Sequence, residues 1–471
     1  MGGGAQANLG GFPEDSILLD DAFGQTKLLT RIPAAVDAQQ ANPPHPEDSI
    51  VLVGAYDHPE LLAHTPAAGD CTKSGVHVLH LSGADGRLTH LTTNAIGPNV
   101  AFIVRCPTNP RLLYASTERI DDEGEIITLR MTSDYRLVEE SRVKTGGRST
   151  CYLNFSKTKE WMMAVNYWDA KVSMLHLAAD GRPGSPRSVL MQPEARYVEE
   201  AKPTREEHWK FRQRWPHSHC CVTEPYSGRV HFVVDLGLDR VFAYRVDATS
   251  GQLVPKGSVQ LPRGKGPRHL LFHPTIRAAY LVNELDSTVS VFRVNIPEAW
   301  VSAAHWGVAE ARMEDCATSG AALELVQCLS SLPDTEQGKT TISPQGIWKA
   351  ASHSSEIRMH PNGKFFVVGN RGHDSIAVYA VHPSTGAATL CEITPSGGEC
   401  PRNFNWTAGG KYLVVGNQNS SSMCTLGFDA AEGHLTLLHT ETGVTSPNYV
   451  YPIPCSAMPG LFSADVSVSA A

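Results

Sequence analysis

Short apolar runs alternate with polar turns along most of the chain, and one such unit recurs about every 48 residues. Each unit has a polar stretch, a turn that contains glycine and an apolar run that ends in Asn or Asp. Four copies are plain, with apolar runs at 232–235, 280–283, 366–370 and 413–417. Short β-branched runs between turn residues, repeated at this period, are typical of a β-propeller in which each repeat forms one blade.

Three earlier units complete the pattern. Residues 50–91, 99–137 and 151–177 are predicted to be the first three blades. The fold class that we predict is all-β, a seven-bladed β-propeller with four-stranded antiparallel blades. A strand after Thr436 is expected to pair with the N-terminal strand and close the ring, because closure removes unpaired sheet edges. Functional residues are then expected where the blades converge.

The ends of the chain differ from the repeats. Residues 1–48 are rich in Gly, Ala, Pro and Gln and lack sustained periodicity, so we expect a flexible N-terminal segment. The propeller is predicted at 49–455, and a C-terminal tail follows at 456–471.

Two intervals between repeats are longer than the rest and indicate insertions. The first, at about 183–215, contains a charged stretch at 205–212 that is a candidate short helix lying over one face of the ring. The second, at about 297–348, contains a candidate helix at 299–329. Insertions of this length are usually lids or surface additions, and the surface role is the favoured interpretation.

Charge and cysteine content narrow the class of protein. The formal net charge of −8 argues against nucleic acid as a partner, because phosphate backbones require clustered Lys and Arg. The eleven cysteines include no CxxC pair, and Cys220 and Cys221 are predicted to be buried strand residues, which favours a reducing compartment. We expect a cytoplasmic protein without membrane contact, since no apolar stretch approaches the ~20 residues of a spanning helix.

Ionisable residues stand at equivalent points of successive units, where the repeat itself requires only an apolar strand and a turn residue. In a closed ring these points surround one central opening, although they span 185 residues of sequence. The candidates are His217, His219, Arg268, His269, Glu284, Arg371, His373 and Arg402.

Arginines, a carboxylate and imidazoles around one opening suit a small substrate that carries a carboxylate or a phosphate. Opening a lactone needs a water activated by a base and a stabilised oxyanion. Glu284 or a histidine is the candidate base, and Arg268 or Arg371 is the candidate for holding the developing negative charge. Ring closure, in which a carboxylate adds to a double bond, uses the same groups, so these residues leave the direction of the reaction open.

Some candidates also have a structural interpretation. Arg240 and His373 are more simply explained as ties between neighbouring blades, whereas Arg402 is balanced between the two roles. The Asn residues that end the apolar runs are predicted to form turns and to bond the backbone between strands. No GxSxG, GxxxxGK[ST] or HExxH motif is present and no cluster has metal-ligand spacing, so we predict no cofactor and no metal.

Several separate motifs resemble, in order and spacing, the lactonase family of seven-bladed β-propellers. They are Gly266-Pro267-Arg268-His269-Leu270, Asn283-Glu284-Leu285-Asp286, Asn370-Arg371-Gly372-His373-Asp374 and Arg402-Asn403-Phe404, within a resemblance that covers about residues 50–450. The family contains the cycloisomerase-type 6-phosphogluconolactonases and the 3-carboxy-cis,cis-muconate lactonizing enzymes.

The resemblance implies roles for individual residues. Muconate-type members are proposed to use a His, two Arg and a Glu, which by motif order fall here on His219, Arg268, Glu284 and Arg371. His217 is the alternative to His219 as the histidine. The remaining candidates, expected to bind substrate, are His217, His269, His373 and Arg402.

The resemblance also implies a function. We expect a lactone hydrolase of the 6-phosphogluconolactonase type, which opens a sugar lactone to its acid and whose partner is a small anionic lactone or carboxylate. One alternative is a 3-carboxy-cis,cis-muconate cycloisomerase. A second is a propeller that has lost turnover and serves as a binding platform, since fold does not fix function.

Overall fold

A computed structural model describes residues 45–63, 75–192, 204–301, 322–344 and 346–458, and the backbone of strands at 16–20 and 26–30. Contacts divide the chain into two units, residues 1–44 and residues 45–471. In the first unit, β1 (Ser16–Asp20) pairs antiparallel with β2 (Thr26–Thr30). Most of the remaining segment that the sequence predicts to be flexible lies outside the described residues, as does the tail from residue 459 onward.

Seven four-stranded antiparallel sheets form the second unit, and each is one blade. Blade 1 consists of β3 (Ser49–Ala55), β4 (Val76–Leu81), β5 (Leu88–Asn94) and the C-terminal strand β32 (Pro447–Pro454). Blade 2 consists of β6 (Val100–Arg105), β7 (Leu112–Thr117), β8 (Glu125–Met131) and β9 (Leu137–Lys144). Blade 3 consists of β10 (Thr150–Phe155), β11 (Trp161–Asn166), β12 (Lys171–Leu177) and β13 (Pro183–Met191).

Blades 4 to 7 follow in chain order. Blade 4 consists of β14 (Ser218–Thr223), β15 (His231–Asp235), β16 (Arg240–Val246) and β17 (Leu253–Gln260), and blade 5 of β18 (Pro267–Phe272), β19 (Ala278–Asn283), β20 (Thr288–Val294) and β21 (Leu323–Ser330). Blade 6 consists of β24 (His353–Met359), β25 (Phe365–Arg371), β26 (Ser375–Val381) and β27 (Ala388–Pro395). Blade 7 consists of β28 (Pro401–Trp406), β29 (Tyr412–Asn417), β30 (Ser422–Asp429) and β31 (His434–Thr442). A small hairpin of β22 (Thr340–Ile342) and β23 (Trp348–Ala350) precedes blade 6.

The ring closes through its two ends, as predicted. β32 pairs antiparallel with β3, so the C-terminal strand becomes the innermost strand of blade 1. The innermost strands contact one another in the order β32, β6, β10, β14, β18, β24 and β28, and β28 contacts β32. No innermost strand is therefore left at an open end of the ring.

Burial follows the layers of each blade. All residues of β19 are buried, because both faces of this strand pack against neighbouring blades. Ring contacts such as Tyr280 with Phe366, whose centroids are 4.5 Å apart, join blades 5 and 6. Burial of an aromatic or aliphatic side chain contributes about 1.5–3 kcal/mol, so stacking blade on blade stabilises sheets that would be too small alone.

Cys220 and Cys221 are fully buried strand residues, as predicted.

Two of the outermost strands, β13 and β21, lie in stretches that the sequence predicted to be insertions. β13 occupies the first nine residues of the predicted insertion at 183–215. β21 occupies Leu323–Ser330, so the prediction of a helix through 299–329 is wrong for these residues. Outermost strands face solvent on one side and alternate buried with exposed residues, which makes their apolar content low. Within 299–329 only α1 (Glu298–Val301) is helical among the described residues, and 302–321 lie outside them.

Other helical turns are short. They are 3-10 helices at Pro59–Leu61, His208–Phe211 and Cys455–Ala457. In the described parts of the chain, none of the helices has the length and apolar character to cross a membrane. The second of these turns lies in the stretch at 205–212 where a short helix was predicted.

Candidate active site

One irregularity recurs in the innermost strand of every blade. Near the start of this strand the pairing with the second strand skips a residue, forming a β-bulge, and in blade 6 the skip covers two residues. A bulge re-aims a side chain away from the regular alternation of a strand. The bulged residues are Ala101, Cys151, His219, Arg268, Ser355 with Glu356, Arg402 and Asn448.

A second equivalent position lies at the end of the second strand, one residue past the Asn of the repeat. In six blades the backbone N–H of this residue donates to the carbonyl of the residue just before the innermost strand. The seven residues at this position are Tyr56, Glu118, Tyr167, Leu236, Glu284, Arg371 and Gln418. One repeat thus presents two side chains per blade at the same end of the ring.

Side chains from these two positions line a cleft with an empty volume of about 450 Å³, which includes the solvent at its mouth. The bulges contribute Cys151, His219 and Arg402, and the second position contributes Tyr56, Glu118, Tyr167, Glu284 and Arg371. Leu62 and Ala63, from the loop after β3, and Arg212, from the first insertion, complete the lining. The cleft is therefore strongly polar and rich in arginine.

Glu284 lies at the centre of three ion pairs. Its Oε2 is 3.1 Å from Arg268 Nε and 3.0 Å from Arg371 Nη2, and its Oε1 is 3.0 Å from Arg212 Nη1. Burial raises the pKa of Glu284, but the guanidinium groups of Arg371, Arg212 and Arg268 together hold it well below its usual range. Glu284 is therefore a fixed carboxylate, both of whose oxygens are occupied by guanidinium groups.

Arg212 reaches the cleft from the first insertion, directly after the 3-10 helix His208–Phe211. Besides its ion pair with Glu284, it donates from Nη2 to the Tyr167 hydroxyl at 2.9 Å. The charged stretch of this insertion was predicted to cover one face of the ring, and no motif in it indicates that one of its arginines enters the cleft. This insertion is thus part of the candidate site.

A second carboxyl group has a different environment. Arg402 Nη2 donates to the Tyr56 hydroxyl at 2.6 Å, and that hydroxyl hydrogen-bonds Glu118. Burial raises the pKa of Glu118, and the Arg402 charge only partly opposes this. Glu118 makes no ion pair as close as those of Glu284 among the described residues. It is therefore the carboxyl group in the cleft that more readily carries a proton.

Two histidines and a further carboxylate form a chain beneath the cleft. His219 Nδ1 lies 3.2 Å from His269 Nε2, and His269 Nδ1 lies 2.9 Å from Glu356 Oε1. Burial lowers the pKa of His219 well below its usual range and that of His269 to about 4. Both imidazoles are accordingly neutral near pH 7.

The structure brings most of the predicted residues together. His219, Glu284, Arg371 and Arg402 line the cleft. Arg268 does not line it but pairs with Glu284, and His269 lies one layer beneath the cleft. Of the histidine pair, His219 lines the cleft, whereas His217 stacks on the Tyr167 ring at 4.6 Å and bonds its carbonyl.

His373 is not brought to the cleft. It lies in the turn between β25 and β26, and its Nδ1 is 2.8 Å from Ser375 Oγ in the same hairpin. The tight turn, in which Asp374 has a φ of 57°, directs this side chain back onto its own hairpin. Three Asn residues of the repeat bond the backbone as predicted, as Asn370 does by donating to the Ser331 carbonyl at 2.7 Å. Asn283 instead donates to the hydroxyls of Thr288 and Ser290.

Sequence reasoning missed several residues of the cleft, namely Tyr56, Glu118, Cys151, Tyr167 and Arg212. The first two follow Ala55 and Thr117, which replace the Asn that marks the position in other blades. Once the repeat is aligned on the second position, Tyr56, Glu118 and Tyr167 become visible as equivalents of Glu284. Among the described residues, no group of His, Cys, Asp and Glu is arranged to hold a metal ion.

The model of the family described as "Lactonase, 7-bladed beta-propeller" matches residues 53–305 and 308–452. The chain belongs to this family. Two relatives named 6-phosphogluconolactonase support membership. The protein of Bacillus subtilis is 28% identical over 340 residues, 72% of this chain and 83% of the relative, and that of Pectobacterium carotovorum is 27% identical over 366 residues, 76% of this chain and 90% of the relative.

Solved structures show the same fold as this lactonase-family chain. The periplasmic gluconolactonase of Pseudomonas aeruginosa has a TM-score of 0.67 and 25% identity, with 86% of this chain and 99% of that chain covered. A protein from Lactobacillus plantarum has a TM-score of 0.67 and 22% identity over 86% of this chain and 99% of that chain.

Proposed function

We propose that this lactonase-family protein hydrolyses the ring ester of an anionic sugar lactone, with 6-phosphogluconolactone as the best candidate. The observation that carries the proposal is the charge balance of the cleft. Three guanidinium groups, those of Arg212, Arg371 and Arg402, line it, and a fourth, that of Arg268, pairs with Glu284 behind the lining. The two carboxyl groups of the lining are those of Glu284 and Glu118. The relatives that are named 6-phosphogluconolactonase agree with this substrate class.

Surplus positive charge in a confined site favours an anionic ligand. Burial, and after it the neighbouring Arg371, lower the pKa of Arg268 to about 10, so holding this charged guanidinium here is costly. A phosphate or carboxylate removes that cost and accepts charge-assisted hydrogen bonds from the guanidinium forks, each worth about 1.5–3 kcal/mol. Glu284 keeps three of the forks in place while the anion binds.

The chemistry can be assigned to groups of the cleft. Water forms a bond to the lactone carbonyl carbon while His219 takes its proton, and arginine side chains stabilise the oxyanion. The bond between that carbon and the ring oxygen then breaks, and Glu118 gives its proton to the leaving oxygen. Glu284 is unsuited to act as the base because three arginines hold its carboxylate.

The test is direct. Purified protein is incubated with 6-phosphogluconolactone, gluconolactone and 3-carboxymuconate, and acid release or ultraviolet absorbance is followed above the spontaneous rate. We expect hydrolysis of the phosphorylated lactone with a kcat/KM at least about tenfold above that of the neutral lactone, since one arginine contact to phosphate is worth that factor. Turnover of carboxymuconate alone would instead assign a cycloisomerase, and no turnover of any substrate would refute the proposal.

A further inference from the structure

Three neighbouring blades each supply one member of the chain beneath the cleft. His219 is the bulged residue of β14, His269 follows the bulge of β18, and Glu356 lies in the bulge of β24. The distances of 3.2 Å between the imidazoles and 2.9 Å between His269 and the carboxylate are those of hydrogen bonds. All three side chains are buried, so water cannot replace a partner, and in each of the two hydrogen bonds one atom must be the donor and the other the acceptor.

The charged neighbours determine where the protons are. Glu356 accepts from Asn403 Nδ2 at 2.5 Å and from the Ile357 backbone N–H at 3.0 Å, and it pairs with Arg358 at 3.3 Å. A carboxylate in this setting only accepts, so His269 Nδ1 carries the proton of the bond to it.

The other ring nitrogen of His269 must then be an acceptor. Arg268 Nη1 lies 3.5 Å from it, and a guanidinium can only donate. Because His269 Nε2 carries no proton, the bond from His219 requires a proton on His219 Nδ1. A neutral His219 with a proton on Nδ1 has none on Nε2, which keeps its lone pair on the opposite side of the ring.

We propose that Glu356 and His269 are positioning residues that hold His219 in the tautomer with a proton on Nδ1, so that Nε2 offers its lone pair to the cleft as the base. This inference rests on the proposed lactone hydrolysis for the reaction that the base serves. The water proton moves to His219 Nε2 as the new bond to the carbonyl carbon forms. It then returns through solvent to Glu118, which has protonated the leaving oxygen, while the acid product loses its own proton to solvent. The negative charge of Glu356, transmitted through His269, stabilises the imidazolium while it lasts.

The tautomer can be measured without any substrate. The full chain is labelled with ¹⁵N-histidine, and protonated and unprotonated ring nitrogens are distinguished by their chemical shifts and couplings. The signal that disappears in His219→Gln identifies His219 among the 20 histidines. We expect a proton on Nδ1 alone near pH 7, and a proton on Nε2 would overturn the inference.

Two other buried histidines serve as internal references of opposite tautomer. His273 Nε2 faces the Gly363 carbonyl at 2.9 Å, and His360 Nε2 faces the Gly410 carbonyl at 3.0 Å. Their Nδ1 atoms lie near backbone N–H groups, at 2.9 Å for Ile276 and 3.2 Å for Asn362, so each carries its proton on Nε2.

Variants separate positioning from simple packing. His269→Phe keeps the ring volume and removes the acceptor, so we expect His219 to lose its single tautomer and kcat to fall by about 10²–10⁴-fold, the range of a general base. KM is expected to change by less than about threefold, because Arg212, Arg371 and Arg402, which line the cleft, have no hydrogen bond to His269. His269→Gln, whose amide oxygen can accept from His219 Nδ1, should recover part of the tautomer and of kcat.

His360→Gln is the matched control, since it alters a buried histidine outside the cleft and should leave the His219 signal and kcat unchanged. A folded His269→Phe variant with wild-type kcat would overturn the inference. The two proposals fail separately: the expected His219 tautomer without turnover of any lactone supports the positioning and refutes lactone hydrolysis. Turnover with the opposite tautomer supports lactone hydrolysis and refutes the positioning.

Discussion

Two carboxyl groups in one cleft have opposite environments. Glu284 is held by three guanidinium groups that lower its pKa, whereas burial raises the pKa of Glu118. Pairs of titratable groups whose environments move their pKa values apart are the usual basis for assigning acid and base roles. Glu118 and His219 differ in the same way, since the pKa of Glu118 is raised and that of His219 is lowered. A carboxyl that keeps its proton and an imidazole that lacks one are matched to acid and base catalysis.

Replacing Glu118 tests the role of the proton donor. Glu118→Gln keeps the volume and the hydrogen bond from Tyr56 but cannot transfer a proton, so we expect kcat on 6-phosphogluconolactone to fall by about 10²–10⁴-fold. The melting temperature should change little, because the side chain is only partly buried. Glu160→Gln, at an exposed position, is the control and should keep wild-type kcat. Unchanged turnover in Glu118→Gln would remove this residue from the mechanism.

The pH dependence follows from the same two groups. His219 acts when neutral, and because its pKa lies well below 6.5, activity should persist as the pH falls through 6.5 and decline only at lower pH. Glu118 acts when protonated, so activity should decline as the pH rises through its raised pKa. A profile of kcat/KM against pH should therefore be bell-shaped, and the alkaline decline should be absent from the residual activity of Glu118→Gln. An acid limb centred at pH 6.5 would contradict the environment found for His219.

Among the secondary-structure elements, the β-bulge of each innermost strand places a side chain of that blade at the candidate site. An innermost strand with unbroken alternation would present its side chains to the neighbouring blades, whereas the bulge adds one side chain at the same height in every blade. Glycine precedes the bulge in blade 5, where Gly266 has a φ of 58°. Its N–H donates to Asp239 at 2.7 Å and its carbonyl accepts the N–H of Glu284 at 2.7 Å. This glycine therefore fixes the relation between Arg268 and Glu284.

Gly266→Ala should be costly for two reasons. A Cβ at this position would overlap the Leu285 side chain, and the positive φ disfavours any residue with a Cβ. We expect a loss of about 2–4 kcal/mol in the free energy of unfolding, from backbone strain and overpacking together, and a lower kcat because Arg268 and Glu284 shift. Denaturant unfolding and kinetics measure the two effects. Gly338→Ala has a similar φ of 68° but open space around the Cβ, so it should lose only the part due to strain.

At the scale of the whole molecule, closure of the ring makes the site possible. Arg402 donates to Tyr56 across the join between blades 7 and 1, and these residues are 346 positions apart in the chain. β32 forms the innermost strand of blade 1 and buries Tyr449, Val450 and Ile453 against its neighbours. An open ring would leave the apolar faces of blades 1 and 7 in water.

Truncation tests this dependence. A chain that ends at Ser446 lacks β32, so we expect it to aggregate or to unfold without a cooperative transition. A chain that ends at Met458 keeps β32 and the 3-10 helix Cys455–Ala457 and should retain the wild-type melting temperature. Thermal unfolding followed by circular dichroism compares the two. A monomeric, cooperatively folded chain of residues 1–446 would show that closure is dispensable.

The repeat pattern was enough to predict the blades, the closing strand and the meeting of Arg268, Glu284 and Arg371 in one cluster. Inner strands are buried on both faces, and their continuous apolar runs are plain in the sequence. The outermost strands β13 and β21 were not recognised, because half of their residues face solvent. The hydrophobic pattern thus identified the buried strands, where burial restricts the residue type, and did not identify β13 and β21, where solvent exposure allows many residue types.

The repeat in the amino-acid sequence shows which residue types stand at equivalent points of each blade, since successive units can be aligned with one another. Which of these side chains interact depends on how the folded chain arranges the blades and the insertions. In the folded chain, Arg212 of the first insertion pairs with Glu284, whereas Glu118 lies apart from such ion pairs. His219 is hydrogen-bonded to His269, which is hydrogen-bonded to Glu356. The reason is physical: hydrogen bonds and ion pairs act over a few ångströms in space, and distance along the chain does not encode which groups a closed ring brings that near.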